Sequence, residues 1–301
     1  MAFNLQTFKT RALTAIVFVV VMLAGLLVNQ WTFLALFSVI HFGCWIEYQK
    51  LVGKIDENYQ HITPLHKYGV MLFGWGFMLY MTNDDYHFGA VQLHAIGWLL
   101  IMITTILLMT FEIVFPKQLN LKTISYSAIG LLYISLSWGL MMDLRNEGTF
   151  FKESFLSVQL GWLVPVVLIA SIWINDTMAY IVGSFIGKTP FSKISPKKTW
   201  EGTIGGMILC VLVIVFVVVP LLLGNTAGDT MVRDTRINWL IIATLAAIFG
   251  TLGDLLESKI KRMADVKDSG QIMPGHGGFL DRFDSLLIAT PVVWLYIKLF
   301  L

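Results

Sequence analysis

The chain has 301 residues, of which 56% are hydrophobic and only 13% are charged. Soluble domains carry roughly 25% charged residues, and a soluble fold of this size could not cover so much apolar surface with 21 basic and 19 acidic side chains. The net charge of +2 gives no support for nucleic-acid binding. Both cysteines lie in apolar runs, which argues against a disulfide framework or a cysteine metal site. The composition therefore indicates a polytopic membrane protein.

Apolar segments of membrane-spanning length recur along the whole chain. A helix needs about 20 apolar residues to cross a bilayer, with roughly 17–25 tolerated. The sequence therefore predicts an all-α polytopic membrane protein with about nine transmembrane helices. The candidate spans are residues 12–28, 31–48, 68–82, 94–115, 123–143, 158–187, 203–223, 238–256 and 284–301.

The basic residues of the loops predict the orientation of these spans. The loops on the side of the N-terminus hold sixteen Lys and Arg residues, against four in the opposite loops. Because cytoplasmic loops carry the excess of positive charge, we expect a cytoplasmic N-terminus and an external C-terminus. Long polar cytoplasmic stretches occur only after residue 157, so we divide the chain into an N-terminal scaffold or lipid-access region, 1–157, and a catalytic region, 158–301.

Carboxylates near the eighth predicted span are the first candidates for chemistry. Asp254, Glu257 and Ser258 are spaced i, i+3 and i+4, so they share one face of a helix. Burying that face in lipid is costly, which favours a cavity or the cytoplasmic mouth. The alternative is a cluster of charges at a helix end, stabilised by Lys259 and Lys261.

A glycine-rich segment with mixed charges follows, and it suits a magnesium–polyphosphate site. Its glycines allow backbone amides to approach an anion closely. Mg²⁺ takes one or two carboxylates together with phosphate oxygens and waters, while cations neutralise the remaining charge. The alternative is a plain basic loop at an anionic membrane surface. The charged residues of this segment are Lys261, Arg262, Asp265, Lys267, Asp268, Asp281, Arg282 and Asp284.

A second polar stretch, 192–202, is predicted on the same side of the membrane. It follows the sixth span, inside which lies Asp176, and an intramembrane acid is a functional candidate. The alternative for Asp176 is an interhelical hydrogen bond. The small-residue pairs Gly183/Gly187 and Gly202/Gly206 predict close helix packing rather than ligand binding.

Three motifs together resemble the phosphatidate cytidylyltransferase family, also called CDP-diglyceride synthase. The first runs from Ser258 to Asp284 as S-x-I-K-R-x4-K-D-x-G-x2-M-P-x-H-G-G-F-x-D-R-F-D, and the second is S-P-K-K-T-W-E-G over 195–202. The third is D-T-x-A-Y over 176–180. Met273 and Met178 depart from the family pattern, the first conservatively and the second at a usual glycine. For residues 1–157 the likeness is one of hydropathy only.

The resemblance implies a nucleotidyltransferase that converts CTP and phosphatidic acid into CDP-diacylglycerol and pyrophosphate. It implies Asp254 and Asp281 as ligands of Mg²⁺, with K⁺ as a candidate second cation. It also places Lys267, Asp268 and Asp284 beside them in the catalytic group. The residues expected to bind substrate are Asp176, Lys197, Lys198, Glu201, Ser258, Lys261, Arg262, His276, Gly277, Gly278 and Arg282.

The expected partners are CTP, phosphatidic acid and the lipid bilayer, with no nucleic acid, and a homodimer is the oligomer to test. We expect a plasma-membrane protein whose active site faces the cytoplasm. Two other classes stay open at this point: a polyprenol or dolichol kinase, which shares the magnesium–nucleotide logic, and a transporter of phosphorylated solutes. The choice between CTP and ATP as substrate discriminates the enzymes.

Overall fold

The structure is a computed structural model that describes residues 5–114, 121–146, 161–192, 194–223, 235–271 and 277–301. These residues are almost entirely helical. The first helices are α1 (Leu5–Leu27), α2 (Gln30–Ile55), the short α3 (Glu57–Gln60), α4 (Pro64–Tyr80) and α5 (Leu93–Val114). A two-residue hairpin, β1 (His87–Phe88) with β2 (Val91–Gln92), precedes α5 and turns at Gly89, whose φ is +61°.

The remaining helices include two short π-helical stretches. Leu131–Ser135 joins α6 (Leu121–Gly130) to α7 (Leu136–Asn146), and Ile214–Val218 joins α9 (Trp200–Val213) to α10 (Val219–Leu223). The other long helices are α8 (Leu163–Ile186), α11 (Arg236–Met263) and α12 (Leu280–Phe300).

Side-chain caps fix where several helices begin. Asn29 and Thr32 form a reciprocal capping box at α2. Thr63 caps α4, which has Pro64 in its first turn, and Thr199 caps α9 by accepting a hydrogen bond from the amide of Gly202. These caps satisfy amides that have no partner within their own helix.

Seven of the described helical segments are long and apolar enough to cross a membrane. They are Gln30–Ile55, Leu93–Phe111, Leu121–Asn146, Leu163–Ile186, Trp200–Leu223, Arg236–Met263 and Leu280–Phe300. Leu13–Leu27 is apolar but shorter, and α4 has 17 residues. The prediction of an all-α polytopic membrane protein is confirmed, while nine crossings and the cytoplasmic N-terminus stay predictions.

The chain forms two compact units that alternate along the sequence. The first comprises Met1–Met142 with Ile260–Phe283, and the second comprises Asp143–Lys259 with Asp284–Leu301. The core of the first unit is aromatic: the ring of Trp138 lies 5.2 Å from that of Phe37 and 5.8 Å from that of Phe283. The predicted division into 1–157 and 158–301 stays a prediction.

Small residues bring helices close together in the second unit. A Cβ atom added at Gly206 would lie 2.7 Å from the Cβ of Ala179, and one at Gly202 would lie 2.8 Å from the Cα of Gly183. The packing of α8 against α9 therefore depends on glycine, which confirms the prediction made from the small-residue pairs. The close approach positions the polar end of α8 beside the start of α9.

Candidate active site

Four of the predicted site residues line one cavity of the second unit, which has a volume of about 460 Å³. Asp176 comes from α8 and Asp254 from α11, while Lys197 and Lys198 come from the loop before α9. The polar neighbours Asn175, Thr203 and Thr251 also lie on its wall. Two carboxylates and two ammonium groups around one cavity can bind a polyanion together with a cation.

The loop that carries Lys197 and Lys198 is fixed at its base. Pro190 and Thr199 form an isolated antiparallel bridge, and the amide of Phe191 donates to the carbonyl of Lys198 at 2.7 Å. The rings of Phe191 and Trp200 pack edge to face, with centroids 4.5 Å apart. The lysines therefore extend from a short, closed loop.

Glu201 supports this loop from the first turn of α9. Its carboxylate accepts hydrogen bonds from the amides of Lys188 and Thr189, each at 3.1 Å to Oε2. The residue was predicted to bind substrate, and that prediction stays untested. In the structure its contacts are with the backbone that follows α8.

Asp254 makes two polar side-chain contacts at the cavity. It forms an ion pair with Lys198, and Ser258 donates to its Oδ1 at 3.3 Å. On the same wall, the amide nitrogen of Asn175 donates to Thr251 at 3.4 Å, while its side-chain oxygen is buried with no hydrogen-bond partner among the described residues. Asn175 was missed as a site residue. An amide inside a predicted span, next to Asp176, was the signal in the sequence.

The backbone next to Asp254 packs tightly against α12. A Cβ atom at Gly253 would lie 2.5 Å from the carbonyl oxygen of Asp284 and 3.0 Å from the Cα of Ser285. The predicted catalytic residue Asp284 is itself buried, and its Oδ1 accepts from the amide of Ser285 at 2.6 Å. Gly253 thus allows the helix that carries Asp254 to lie against the helix that carries Asp284.

The first unit brings together a different part of the predicted site, centred on Asp281. Lys261 donates to its Oδ1 at 2.6 Å. Its Oδ2 accepts from the amides of Ser269, at 2.9 Å, and Gly278, at 2.8 Å, and lies 2.9 Å from the hydroxyl of Ser269. The amide of Gly278 was predicted to bind a substrate phosphate, and here it binds the carboxylate of the chain itself. Gly277 has a φ of +83°, in the left-handed region that favours glycine.

A buried acid of α2, Glu47, also lies in this region and was missed by the sequence analysis. It is only 2% exposed and accepts from the amides of Phe279 and Leu280, each at 2.9 Å, and from the hydroxyl of Ser269 at 2.7 Å. The signal that could have identified it is a carboxylate inside the second predicted span, since acids within spans are rare and functional by default.

The other predicted residues of the first unit that the structure describes lie near the surface. Arg262 donates to the carbonyl oxygen of Val266 at 3.3 Å. The side chains of Lys267, Asp268 and Arg282 are exposed. His276 lies outside the described residues, so its predicted role in binding phosphate stays a prediction.

The donor set of the cavity fits a hard cation such as Mg²⁺. Asp176, Asp254 and the unpartnered oxygen of Asn175 are oxygen ligands, the kind that Mg²⁺ prefers. No cluster of three His, Cys, Asp or Glu side chains with metal-binding spacing occurs in the part of the chain that the structure describes. Mg²⁺ does not need one, because it commonly keeps waters and takes phosphate oxygens from its substrate.

Fold and site define a class: a polytopic α-helical membrane protein with an acidic and basic cavity. The family model described as "Cytidylyltransferase family" matches residues 9–300, and the chain belongs to this family. It is 33% identical to phosphatidate cytidylyltransferase of Bacillus subtilis over 201 residues, which are 66% of this chain and 67% of that protein. It is 37% identical over 214 residues to the protein of that name from Synechocystis, an alignment that covers 64% of this chain and 69% of that protein. The enzyme of Thermotoga maritima is 35% identical over 187 residues, with 61% and 62% covered.

Proposed function

We propose that this protein transfers the cytidylyl group of CTP to phosphatidic acid, forming CDP-diacylglycerol and pyrophosphate. The observation that carries the proposal is the cavity in which Asp176 and Asp254 meet Lys197 and Lys198. Membership of the cytidylyltransferase family and the names of the similar proteins support the same reaction.

The reaction needs positioning and charge neutralisation more than acid–base catalysis. An oxygen of the phosphate monoester attacks the α-phosphorus of CTP, the bond to the β-phosphate bridging oxygen breaks, and pyrophosphate leaves with that electron pair. The attacking oxygen is already anionic, so no strong general base is required. Lys197 and Lys198 neutralise phosphate charge, which brings the two anionic substrates together.

Asp254, Asp176 and the amide oxygen of Asn175 would hold Mg²⁺ in this cavity, and K⁺ is a candidate second cation. When bound, Mg²⁺ supplies positive charge to the phosphate oxygens of the nucleotide. Asp281, the other ligand implied by the family resemblance, stays a predicted ligand. Lys267, Asp268, Asp284 and Arg282 remain predicted contributors to the same reaction.

The proposal includes a location and an oligomeric state that need their own tests. The excess of Lys and Arg in alternate loops favours an orientation in which the cavity opens to the cytoplasm, and the plasma membrane is the proposed location. Labelling of cysteines placed in the exposed loops, from one side of sealed vesicles, tests the orientation. The homodimer stays a prediction, which the molecular mass of the protein in detergent would test.

Purified protein incubated with Mg²⁺, phosphatidic acid and either CTP or ATP tests the activity. We expect a CDP-lipid and pyrophosphate with CTP, and no lipid product with ATP. A phosphorylated lipid formed only with ATP would identify a lipid kinase instead. Uptake of a phosphorylated solute into vesicles, with no lipid product from either nucleotide, would identify a transporter.

A further inference from the structure

We propose that Glu47 is a positioning residue of the reaction. From the N-terminal part of the chain it fixes the signature segment around Asp281, by which we mean the described residues 258–271 and 277–284 of the first motif. The inference rests on the proposed function, because Glu47 can influence the reaction only if Asp281 and Lys261 take part in it. All the residues involved belong to the first unit.

The carboxylate of Glu47 joins two stretches of the signature segment. On one side it lies 2.7 Å from the hydroxyl of Ser269, and on the other it accepts the amides of Phe279 and Leu280. These two amides stand at the start of α12, where helix amides have no partner in their own helix. Glu47, a residue of α2, therefore caps the N-terminus of α12. The two amides that it binds directly precede Asp281 in the sequence.

Neighbouring glycines leave room for this carboxylate. A Cβ atom at either Gly270 or Gly278 would collide with the carboxylate oxygens of Glu47. Neither of the two glycines has a positive φ, so their backbone conformation does not require glycine. Glycine is required at these two positions because any side chain would overlap the carboxylate of Glu47.

One turn before Glu47, the same face of α2 packs against the ring of Phe279, whose amide donates to Glu47. A side chain at Gly43 would collide with the ring of Phe279. Positions 43 and 47 are spaced i and i+4, so they present one continuous surface to the turn at 277–280. On that surface Gly43 packs against the ring of Phe279, and Glu47 accepts hydrogen bonds from the amides of Phe279 and Leu280.

The hydroxyl of Ser269 links Glu47 to Asp281. Its oxygen lies 2.7 Å from Oε2 of Glu47 and 2.9 Å from Oδ2 of Asp281, and it also receives the amide of Asp281 at 3.3 Å. Because a hydroxyl has one hydrogen, the two carboxylates compete for it, and displacement of one changes the hydrogen bonding of the other. The position of Asp281 therefore depends on Glu47 without direct contact between them.

An amide cannot replace this carboxylate. Oε1 accepts from one backbone amide, and Oε2 accepts from another. In Glu47→Gln the NH₂ group must face one of these N–H groups, so one donor loses its partner. Glu47→Asp keeps two acceptor oxygens on a shorter side chain. Glu57→Gln, an exposed acid of α3, is the matched control.

The kinetic test compares these variants with the wild-type protein. We expect Glu47→Gln to lower kcat by about 10²-fold, the effect of a misplaced catalytic group, with the KM for CTP changed far less. Glu47→Asp should recover part of kcat, and Glu57→Gln should match the wild type. Equal kcat values for Glu47→Gln and Glu57→Gln, beside an active wild type, overturn the inference. An inactive wild type instead overturns the proposed function.

A second measurement reports on the segment without using activity. Cysteine placed at the exposed Gln271 reacts with a water-soluble maleimide, whereas the native Cys44 and Cys210 are buried. We expect Glu47→Gln to speed this labelling about tenfold or more, because each hydrogen bond to a charged group is worth at least that factor. An unchanged rate overturns the inference. If Glu47→Gln fails to fold, Ser269→Ala serves as the test, because it removes only the hydroxyl that links Glu47 to Asp281. A Ser269→Ala variant with wild-type kcat and labelling rate also overturns the inference.

Discussion

Lys198 and Asp254, 56 residues apart in the sequence, form an ion pair within one cavity of the second unit. Lys198 belongs to the motif at 195–202, and Asp254 lies in α11 four residues before the motif that begins at Ser258, so the pair joins two polar regions that suggested the function. Both side chains are partly exposed, at 29% and 27%. The pair can therefore separate at modest cost when a substrate supplies competing charges.

We predict that Lys198→Ala lowers turnover while improving the apparent affinity for Mg²⁺. Without the ammonium group, phosphate charge is less well neutralised, and loss of one such group costs on the order of 10²-fold in kcat. The same change frees the carboxylate of Asp254 from its competitor. The Mg²⁺ concentration that gives half-maximal rate should therefore fall. Rates measured across a Mg²⁺ titration check both effects.

Lys259→Ala is the control for that experiment. Lys259 is an exposed lysine of α11, in the same unit but outside the cavity lining. It should leave both the rate and the Mg²⁺ dependence unchanged. A Lys198→Ala variant with a higher Mg²⁺ requirement would contradict the competition that we infer between the ammonium group and the cation.

Asp254→Asn and Asp281→Asn should both abolish turnover, but only the second should lower stability clearly. Asp254 accepts from two side chains at the edge of a cavity, whereas Asp281 accepts from Lys261 and from the backbone of Ser269 and Gly278. Hydrogen bonds to a charged group are worth about 1.5–3 kcal/mol each. Thermal unfolding in detergent, measured beside activity, separates the two variants. Near-wild-type rates in both would contradict the assignment of these acids to the reaction.

Much of the second-unit site could be predicted from the sequence because charged residues inside or at the end of a membrane span are energetically unfavourable unless they serve a function. Asp176 lies inside an apolar run and Asp254 at the end of one, and charges in such places are rare unless they serve a cavity. Helical periodicity placed Ser258 beside Asp254, and the structure shows that contact at 3.3 Å. Local rules of spacing and burial were sufficient for these three residues, although they did not identify Asn175.

The first-unit site could not be predicted in the same way because its contacts join distant parts of the chain. Glu47 is 233 residues from Leu280, and no periodicity connects them. The glycine-rich motif predicted that its amides receive a substrate anion, whereas the amide of Gly278 donates to Asp281. Which anion occupies a set of amides depends on tertiary packing, and a single sequence does not record it.

Gly253→Ala should impair the protein more than Gly250→Ala, although both glycines lie in α11. A Cβ atom at Gly253 would lie 2.5 Å from a backbone carbonyl of α12, and backbone cannot move aside as a side chain can. At Gly250 the nearest atom is the side-chain Cγ1 of Ile172, at 3.3 Å. Overpacking typically costs about 1–3 kcal/mol. Unfolding temperature and rate measured on both variants check this, and equal loss in the two would contradict it.

Asp56 provides a pH-dependent contribution to stability outside the candidate spans. It caps α3 by accepting from the amide of Asn58 at 3.0 Å, and its Oδ2 lies 2.6 Å from the Nζ of Lys122. The hydrogen bond from Lys122 holds the pKa of Asp56 below its usual value, with help from the amide of Asn58. A lowered pKa in the folded state means that the contribution is complete above the ordinary aspartate pKa of about 3.9 and is lost as the pH falls through the lowered value.

Asp56→Asn isolates that charge, because asparagine keeps an oxygen that can cap α3. The variant should unfold at a lower temperature than the wild type at pH 7. The difference should shrink below about pH 4, because the carboxylate of the unfolded state then takes up a proton before that of the folded state does. Added salt should also reduce the difference, since Lys122 is 66% exposed. Glu57→Gln, an exposed neighbour, should show no such pH dependence. A difference that persists unchanged at pH 3 would mean that the hydrogen-bond geometry, and not the charge of Asp56, stabilises this junction.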